Sequence, residues 1–170
     1  MIEPMRPIKL PENYRTALFA DEYIAQPKYN GWYIVFLHGR AYTRHGIDIT
    51  DWKCFRNRTL PESAAGEMMH MHGIDHIHHL QLFDVGLRVV LFDIPSQLPI
   101  EKRLAQLPTI ADKFGFEFAP LSISLTWDGY RDKCIDSIGA GNEGLVLKLR
   151  GSLWEPGESK SWRKMKKGDI

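Results

Sequence analysis

Cysteine is nearly absent from this chain of 170 residues: Cys54 and Cys134 are the whole supply. Two thiols so far apart in sequence build neither a disulfide framework nor a zinc site, and a reducing compartment is the expectation. No apolar run approaches the roughly 18 residues of a membrane-spanning helix. The first fifteen residues, MIEPMRPIKLPENYR, hold no apolar core followed by a cleavage site, so no secretory signal is expected. Low-complexity linkers, internal repeats and a large net charge are missing too. With 44% hydrophobic and 25% charged residues and a formal charge of +1, the composition is that of a folded domain with its own core.

The small net charge conceals a division. From Lys148 to Ile170 there are seven Lys/Arg and three acids, a local charge of +4, while the rest of the chain carries −3. A basic end on a mildly acidic body suits a phosphate or nucleic-acid contact, although a solvated lysine-rich tail has the same composition.

Residues 1–20 are punctuated by Pro4, Pro7 and Pro11 and are expected to be irregular, with one short helix near 12–19. Strands are expected over 22–26, 32–37 and 41–44. They are separated by the turn signals Tyr29-Asn30-Gly31 and His38-Gly39-Arg40, where Asn-Gly and His-Gly tolerate positive φ. Residues 48–65 are polar and mixed, and 66–71 reads as a strand. The clearest buried strand is Leu87–Ile94, LRVVLFDI, an apolar run rich in β-branched residues. Further along, 99–114 and 129–139 read as helices closed by glycine. A strand lies within 116–125, another at 144–149, a turn at 154–157 and a last strand at 161–166. Hairpins with segregated helices predict an α+β fold.

Several residues suit phosphate chemistry. Lys28 follows a strand and precedes a tight turn; an amine held there among apolar neighbours loses hydration, which frees it as a nucleophile. Arg44 beside Gly46 can fork onto a sugar hydroxyl or phosphate. Glu67 and Glu143, each flanked by glycine, can hold a ribose hydroxyl or a hydrated Mg2+. Phe92 can stack on a base. Lys164 and Lys166 fall on one face of a strand while Met165 turns to the other, and Lys148 beside them would complete a phosphate pocket. Five of the seven histidines lie between positions 70 and 79. His72 and His76 have the i, i+4 spacing of metal ligands on a helix, but the tract lacks nearby cysteine and reads as a polar connector.

The order of these elements matters more than any one of them. Lys28-Tyr29-Asn30-Gly31, Arg44-His45-Gly46, Gly66-Glu67, Leu91-Phe92-Asp93, Glu143-Gly144-Leu145-Val146-Leu147-Lys148 and Trp162-Arg163-Lys164-Met165-Lys166 span nearly the whole chain. In this order they resemble the adenylation domain of ATP-dependent DNA ligases, in the covalent nucleotidyltransferase superfamily. The resemblance implies two antiparallel β-sheets flanked by helices, with a nucleotide cleft between them. It implies one adenylation domain over 1–170, without the OB-fold domain with which such ligases usually continue.

The implied reaction is nick sealing. Lys28 takes AMP from ATP, passes it to a 5′-phosphate, and a 3′-hydroxyl displaces it. The same resemblance gives Phe92 the adenine face, Gln26 its edge, Arg44 and Glu67 the ribose, Lys148, Lys164 and Lys166 the phosphates, and Glu143 with Glu67 a divalent cation such as Mg2+. The implied partners are a nicked duplex, DNA favoured over RNA, and a separate subunit or domain bearing an OB fold, with no membrane. An intracellular, cytoplasmic setting in repair, replication or recombination follows, a viral origin included. Asn30 stands where the family has aspartate, and Tyr33 where arginine is frequent. A non-catalytic relative that binds nucleotide or nucleic acid is therefore the alternative, and an RNA ligase another.

Overall fold

The computed structural model describes residues 3–16 and 19–170. Among these, nine strands and three α-helices form an α+β fold with two sheets. The strands are β1 (Arg6–Lys9), β2 (Tyr23–Lys28), β3 (Trp32–Leu37), β4 (Arg40–Thr43), β5 (Ser63–His70), β6 (Leu87–Asp93), β7 (Glu117–Phe118), β8 (Gly144–Leu149) and β9 (Glu158–Lys166). The helices are α1 (Ile100–Leu104), α2 (Leu107–Phe114) and α3 (Trp127–Gly139). The chain divides into two compact units. One holds residues 30–98 and 102–118, with residues 3 and 4. The other holds 5–29, 99–101 and 119–170.

The first unit contains a five-stranded sheet in the order β4-β3-β5-β6-β7. Ile34, Phe36, Met68, Val89 and Leu91 are buried and lie on one face of it, because the register pairs Ile34 with Gly66 and Trp32 with Met68, and Met68 with Val89. Phe36 stacks on Phe116 and meets Phe55 edge-on, with centroids 5.4 and 6.0 Å apart. Residues 48–62 form turns rather than strands or helices, yet they bury Ile49, Cys54, Phe55 and Leu60. Asp93 and Arg103, both fully buried, are joined by Nε to Oδ1 at 2.8 Å and a second guanidinium bond to Oδ2 at 3.2 Å. Arg103 also donates to the Leu98 carbonyl at 2.6 Å, and Asp93 accepts the Ile94 amide at 2.7 Å.

The second unit contains a four-stranded sheet in the order β1-β9-β8-β2. Ala25, Leu145, Leu147 and Met165 pack against Trp127, Tyr130 and Cys134 of α3. The helix buries Trp127, Tyr130, Cys134 and Ser137, the i, i+3, i+7, i+10 stripe of an amphipathic helix. Its N-terminus is capped by Thr126, whose hydroxyl accepts the Gly129 amide at 3.1 Å. Burial raises the thiols of Cys54, to about 12, and of Cys134; both are free, as the spacing predicts.

Four expectations need correction. Each sheet is antiparallel except for one parallel edge pair, β1 with β9 and β6 with β7. β7 follows β6 through helices, a crossover that returns a strand in parallel. The expected helix over 99–114 is broken into α1 and α2, with Pro108 in the first turn of α2, where its missing N–H costs nothing. The N-terminal segment, expected to be irregular, supplies β1; Pro7 is tolerated because β1 is an edge strand. The short helix expected near 12–19 is a 3-10 turn at Tyr14–Thr16, and residues 17 and 18 lie outside the described residues. No helix among the described residues is long and apolar enough to cross a membrane.

Candidate active site

Strand register brings five of the nominated residues to one sheet face of the second unit. β8 is paired on both sides: Lys28, Gln26 and Ile24 of β2 oppose Gly144, Val146 and Lys148, which in turn oppose Lys166, Lys164 and Trp162 of β9. Directly opposed residues point to the same side of a sheet. Gln26, Lys28, Lys148, Lys164 and Lys166 therefore share the face opposite α3, and Met165 is fully buried on the other. Lys9, opposed to Lys164 in β1, joins them; the proline-punctuated segment around it gave no sign of a strand.

Glu143 organises this face. Its Oε2 accepts Lys28 Nζ at 2.8 Å and Lys166 Nζ at 2.5 Å. Its backbone amide donates to the Lys28 carbonyl at 2.7 Å, prolonging the β2–β8 ladder by one bond. Burial works to raise the Glu143 carboxyl, but the hydrogen bonds and charges of Lys166 and Lys28 outweigh it and hold it below the ordinary carboxylate range. Lys28 is thus not surrounded only by apolar groups, as expected from sequence, but held in an ion pair with Glu143. Five ammonium groups, with Lys9 counted, against one carboxylate leave the face electropositive, which suits a polyphosphate.

Lys148 is buried, 1% exposed, with its Nζ 4.0 Å from the centre of the Trp162 ring. A desolvated ammonium over an indole gains about 2 kcal/mol or more. Trp162 was legible as a motif residue but not as the support of Lys148, which depends on the β8–β9 register. Gln26 is equally buried. Its Nε2 donates to the Ala119 carbonyl at 3.4 Å, and its Oε1 finds no hydrogen-bond partner. Such an orphan acceptor is expensive unless a ligand satisfies it.

In the first unit, register sets Tyr33, Glu67 and Val90 side by side, and Phe92 follows on the same face. Phe92 is partly exposed and meets Tyr33 edge-on, with centroids 5.1 Å apart. Burial, then the charges of Asp93 and Glu67, push the Tyr33 phenol well above its usual range. Glu67 Oε1 accepts the Gly31 amide at 2.9 Å. Arg44 does not join this group through its side chain: it lies in an exposed turn with its Nε on His45 at 3.1 Å, and its backbone amide donates to Tyr33. Among the described residues, no three His, Cys, Asp or Glu side chains are disposed as they stand to hold a metal ion. Glu143 in the second unit and Glu67 in the first are each an oxygen donor of the kind Mg2+ takes.

No family model and no curated protein matches the chain. Solved structures do. A Lig E DNA ligase superposes over 98% of this chain and 70% of its own, with a TM-score of 0.75 and 17% identity. The Chlorella virus DNA ligase-adenylate superposes over 97% and 67%, with a TM-score of 0.79 and 16% identity. The chain has the fold of the adenylation domain of ATP-dependent DNA ligases. A mycobacterial DNA ligase D solved with ATP is similar over 98% of this chain and 60% of its own, at 22% identity and a TM-score of 0.69. The adenylation fold thus accounts for the two sheets, and the chain spans roughly two thirds of the ligases it resembles.

Proposed function

We propose that the protein is an ATP-dependent polynucleotide ligase acting on nicked duplex, DNA before RNA, through a lysyl-AMP intermediate on Lys28. The observation that carries this reading is the meeting of Lys28 and Lys166 on Glu143 Oε2, on a sheet face that also holds Gln26, Lys148 and Lys164. In the first step Lys28 loses a proton and its Nζ bonds to the α-phosphorus of ATP. The bond from that phosphorus to the bridging oxygen of pyrophosphate breaks, and pyrophosphate leaves with the electron pair.

Lys148, Lys164 and Lys166 bind the phosphates and stabilise the charge that grows on the pentavalent phosphorus. Gln26 gives its orphan Oε1 to the adenine edge. Phe92 takes the base face, with Glu67 and Arg44 on the ribose; for Arg44 this needs its side chain to leave His45. Glu143 or Glu67 would offer a carboxylate oxygen to a divalent ion accompanying ATP, which would supply charge neutralisation at the phosphates. AMP then passes to a 5′-phosphate, and a 3′-hydroxyl expels it as the strand is sealed. A subunit or domain with an OB fold would add grip on the duplex. An intracellular role in repair, replication or recombination follows from the substrate.

The test is the intact mass after incubation with ATP and Mg2+. Wild type should gain one AMP and Lys28→Ala none. A protein that already carries AMP should instead lose it when pyrophosphate is added. No change in either direction would overturn the reading. Asn30 and Tyr33 favour a second one, a relative that binds nucleotide or nucleic acid without covalent chemistry, for which ATP binding without mass gain is the signature.

A further inference from the structure

The second unit has a cavity on the side of its sheet that the lysines do not use. Arg163 lies between Trp162 and Lys164 on β9 and opposes Leu147, so alternation turns it to the face that Leu147 and Met165 present to α3. There it lines a cavity of about 250 Å³ together with Leu10, Tyr14, Tyr23 and Trp127. All five residues belong to the second unit. Leu10, Tyr14 and Trp127 are buried and make its floor, while Asn13 and Thr16 are exposed at its rim. The Trp127 ring meets Tyr14 edge-on and Tyr23 at a tilt, with centroids 5.7 and 5.6 Å apart. Tyr14 is fixed in turn by its hydroxyl, which donates to the Asp169 carbonyl at 2.7 Å.

We infer that this cavity is a binding site for a small aromatic acid, a planar ring bearing one carboxylate. Its walls supply the ring site, because three aromatic side chains at fixed angles can stack on a flat ligand or meet it edge-on. A cavity of about 150 Å³ is enough for benzene, and the larger space here leaves room for an acidic substituent. Arg163 supplies the charge. Its Nε is buried without a hydrogen-bond partner, which is costly for a cation unless an anion meets it. A guanidinium fork takes a carboxylate through two parallel bonds.

The surroundings select the sign of the ligand. Among the described residues no acidic side chain lines the cavity. Arg15 adds a second cation beside it: its Nε donates to the Tyr14 hydroxyl at 3.2 Å, and its guanidinium carbon lies 5.7 Å from the centre of the Tyr14 ring. Asp128, in the first turn of α3, is exposed and faces Arg131 at 4.0 Å. A neutral aromatic would leave Arg163 unpaired, and a cationic one would be repelled. The cavity is separate from the lysine face, because Lys164 and Lys166 leave β9 on the side opposite Arg163. One strand thus serves two sites, with the proposed phosphate ligands on one face and the carboxylate ligand on the other.

The test probe is 2-naphthoate, titrated by calorimetry and followed by NMR, with 2-naphthamide as its uncharged match. The expected result is one 2-naphthoate per chain with a Kd of about 1 mM or tighter, and binding of the amide weaker by roughly tenfold or more. Nuclear Overhauser contacts should run from the naphthyl protons to the rings of Tyr14, Tyr23 and Trp127. Arg163→Met should bring the acid down to the affinity of the amide, and Lys160→Met, at an exposed cation on the same strand, should change nothing. If Arg163→Met fails to fold, Asn13→Trp, altered only at the exposed rim, should fill the mouth and abolish binding. No binding up to about 5 mM, equal affinity for acid and amide, or undiminished affinity in Arg163→Met or Asn13→Trp overturns the site. The readouts are binding and ring contacts, so they are independent of nick sealing.

Discussion

Lys28 and Lys166, at opposite ends of the chain in sequence, donate to the same oxygen of one carboxylate, Glu143 Oε2. One acid therefore positions the proposed nucleophile and one of the proposed phosphate ligands together. Replacing it separates them. Glu143→Gln keeps an oxygen that can accept but removes the carboxylate charge from two ion-paired hydrogen bonds, of a type worth about 1.5–3 kcal/mol each. If the Lys166 contact to Glu143 strengthens in the transition state, its loss should slow AMP transfer to Lys28 roughly 10- to 100-fold. A time course of intact mass at saturating ATP reads this directly. An unaltered rate would remove Glu143 from the mechanism.

The same bridge should respond to acid. The Glu143 carboxyl is held below its ordinary value of 4.5 in the folded protein. Its contribution to stability is then present above that value and is lost as pH falls through the depressed one. Between about pH 5 and pH 3 wild type should lose stability more steeply than Glu143→Gln. Urea midpoints taken across this range would show the two curves approaching each other as pH drops. Parallel curves would mean that the bridge does not contribute.

Asp93→Asn should be costly without touching ATP. It leaves the fully buried Arg103 guanidinium facing a neutral amide, and breaking a buried pair costs about 3–5 kcal/mol. The urea midpoint should fall with its slope unchanged. Arg103→Met, which removes the other partner, should cost a similar amount.

Gly144→Ala should disrupt β8 at its first residue. Gly144 has φ +144, and an added Cβ would sit 2.1 Å from the Met165 carbonyl oxygen. Neither the torsion nor the backbone contact can relax cheaply, so about 2–4 kcal/mol of stability should be lost. Because Gly144 opposes Lys28 and Lys166, AMP transfer should also fall in protein that still folds. Thermal unfolding and intact mass, measured on the same sample, separate the two effects.

Much of the architecture was legible where local signals agree. β3 and β8 occupy their expected bounds, because aromatic or β-branched runs there are fenced by Asn-Gly, His-Gly and Glu-Gly. α2 stops at Gly115 in the left-handed region, as expected. Sequence was silent where structure depends on distant pairing. Arg6–Lys9 is a strand only because β9 runs beside it. The ion pair of Lys28 with Glu143 follows from the β2–β8 register, not from either segment. The lysine face was half legible: alternation placed Lys164 and Lys166 together with Lys148 beside them, but only the register adds Gln26 and Lys28, and only the fold puts Trp162 beneath Lys148. Arg44 shows the converse, a motif match whose side chain turns to its neighbour His45.

The division of the chain has a consequence for its synthesis. Residues 30–98 are a continuous stretch of the first unit, whereas the second unit draws on 5–29 and 119–170. On the ribosome, β3, β4, β5 and β6 emerge in succession and can pair at once. β1 and β2, although made earlier, must wait for β8 and β9. The strand bearing Lys28 therefore spends most of translation without its partner, and such exposed strand edges are where chaperones bind and aggregation starts. Long-range pairing of this kind is also slow. The electropositive face forms only when β9 has been made, so a truncated product would lack it while keeping most of the first unit.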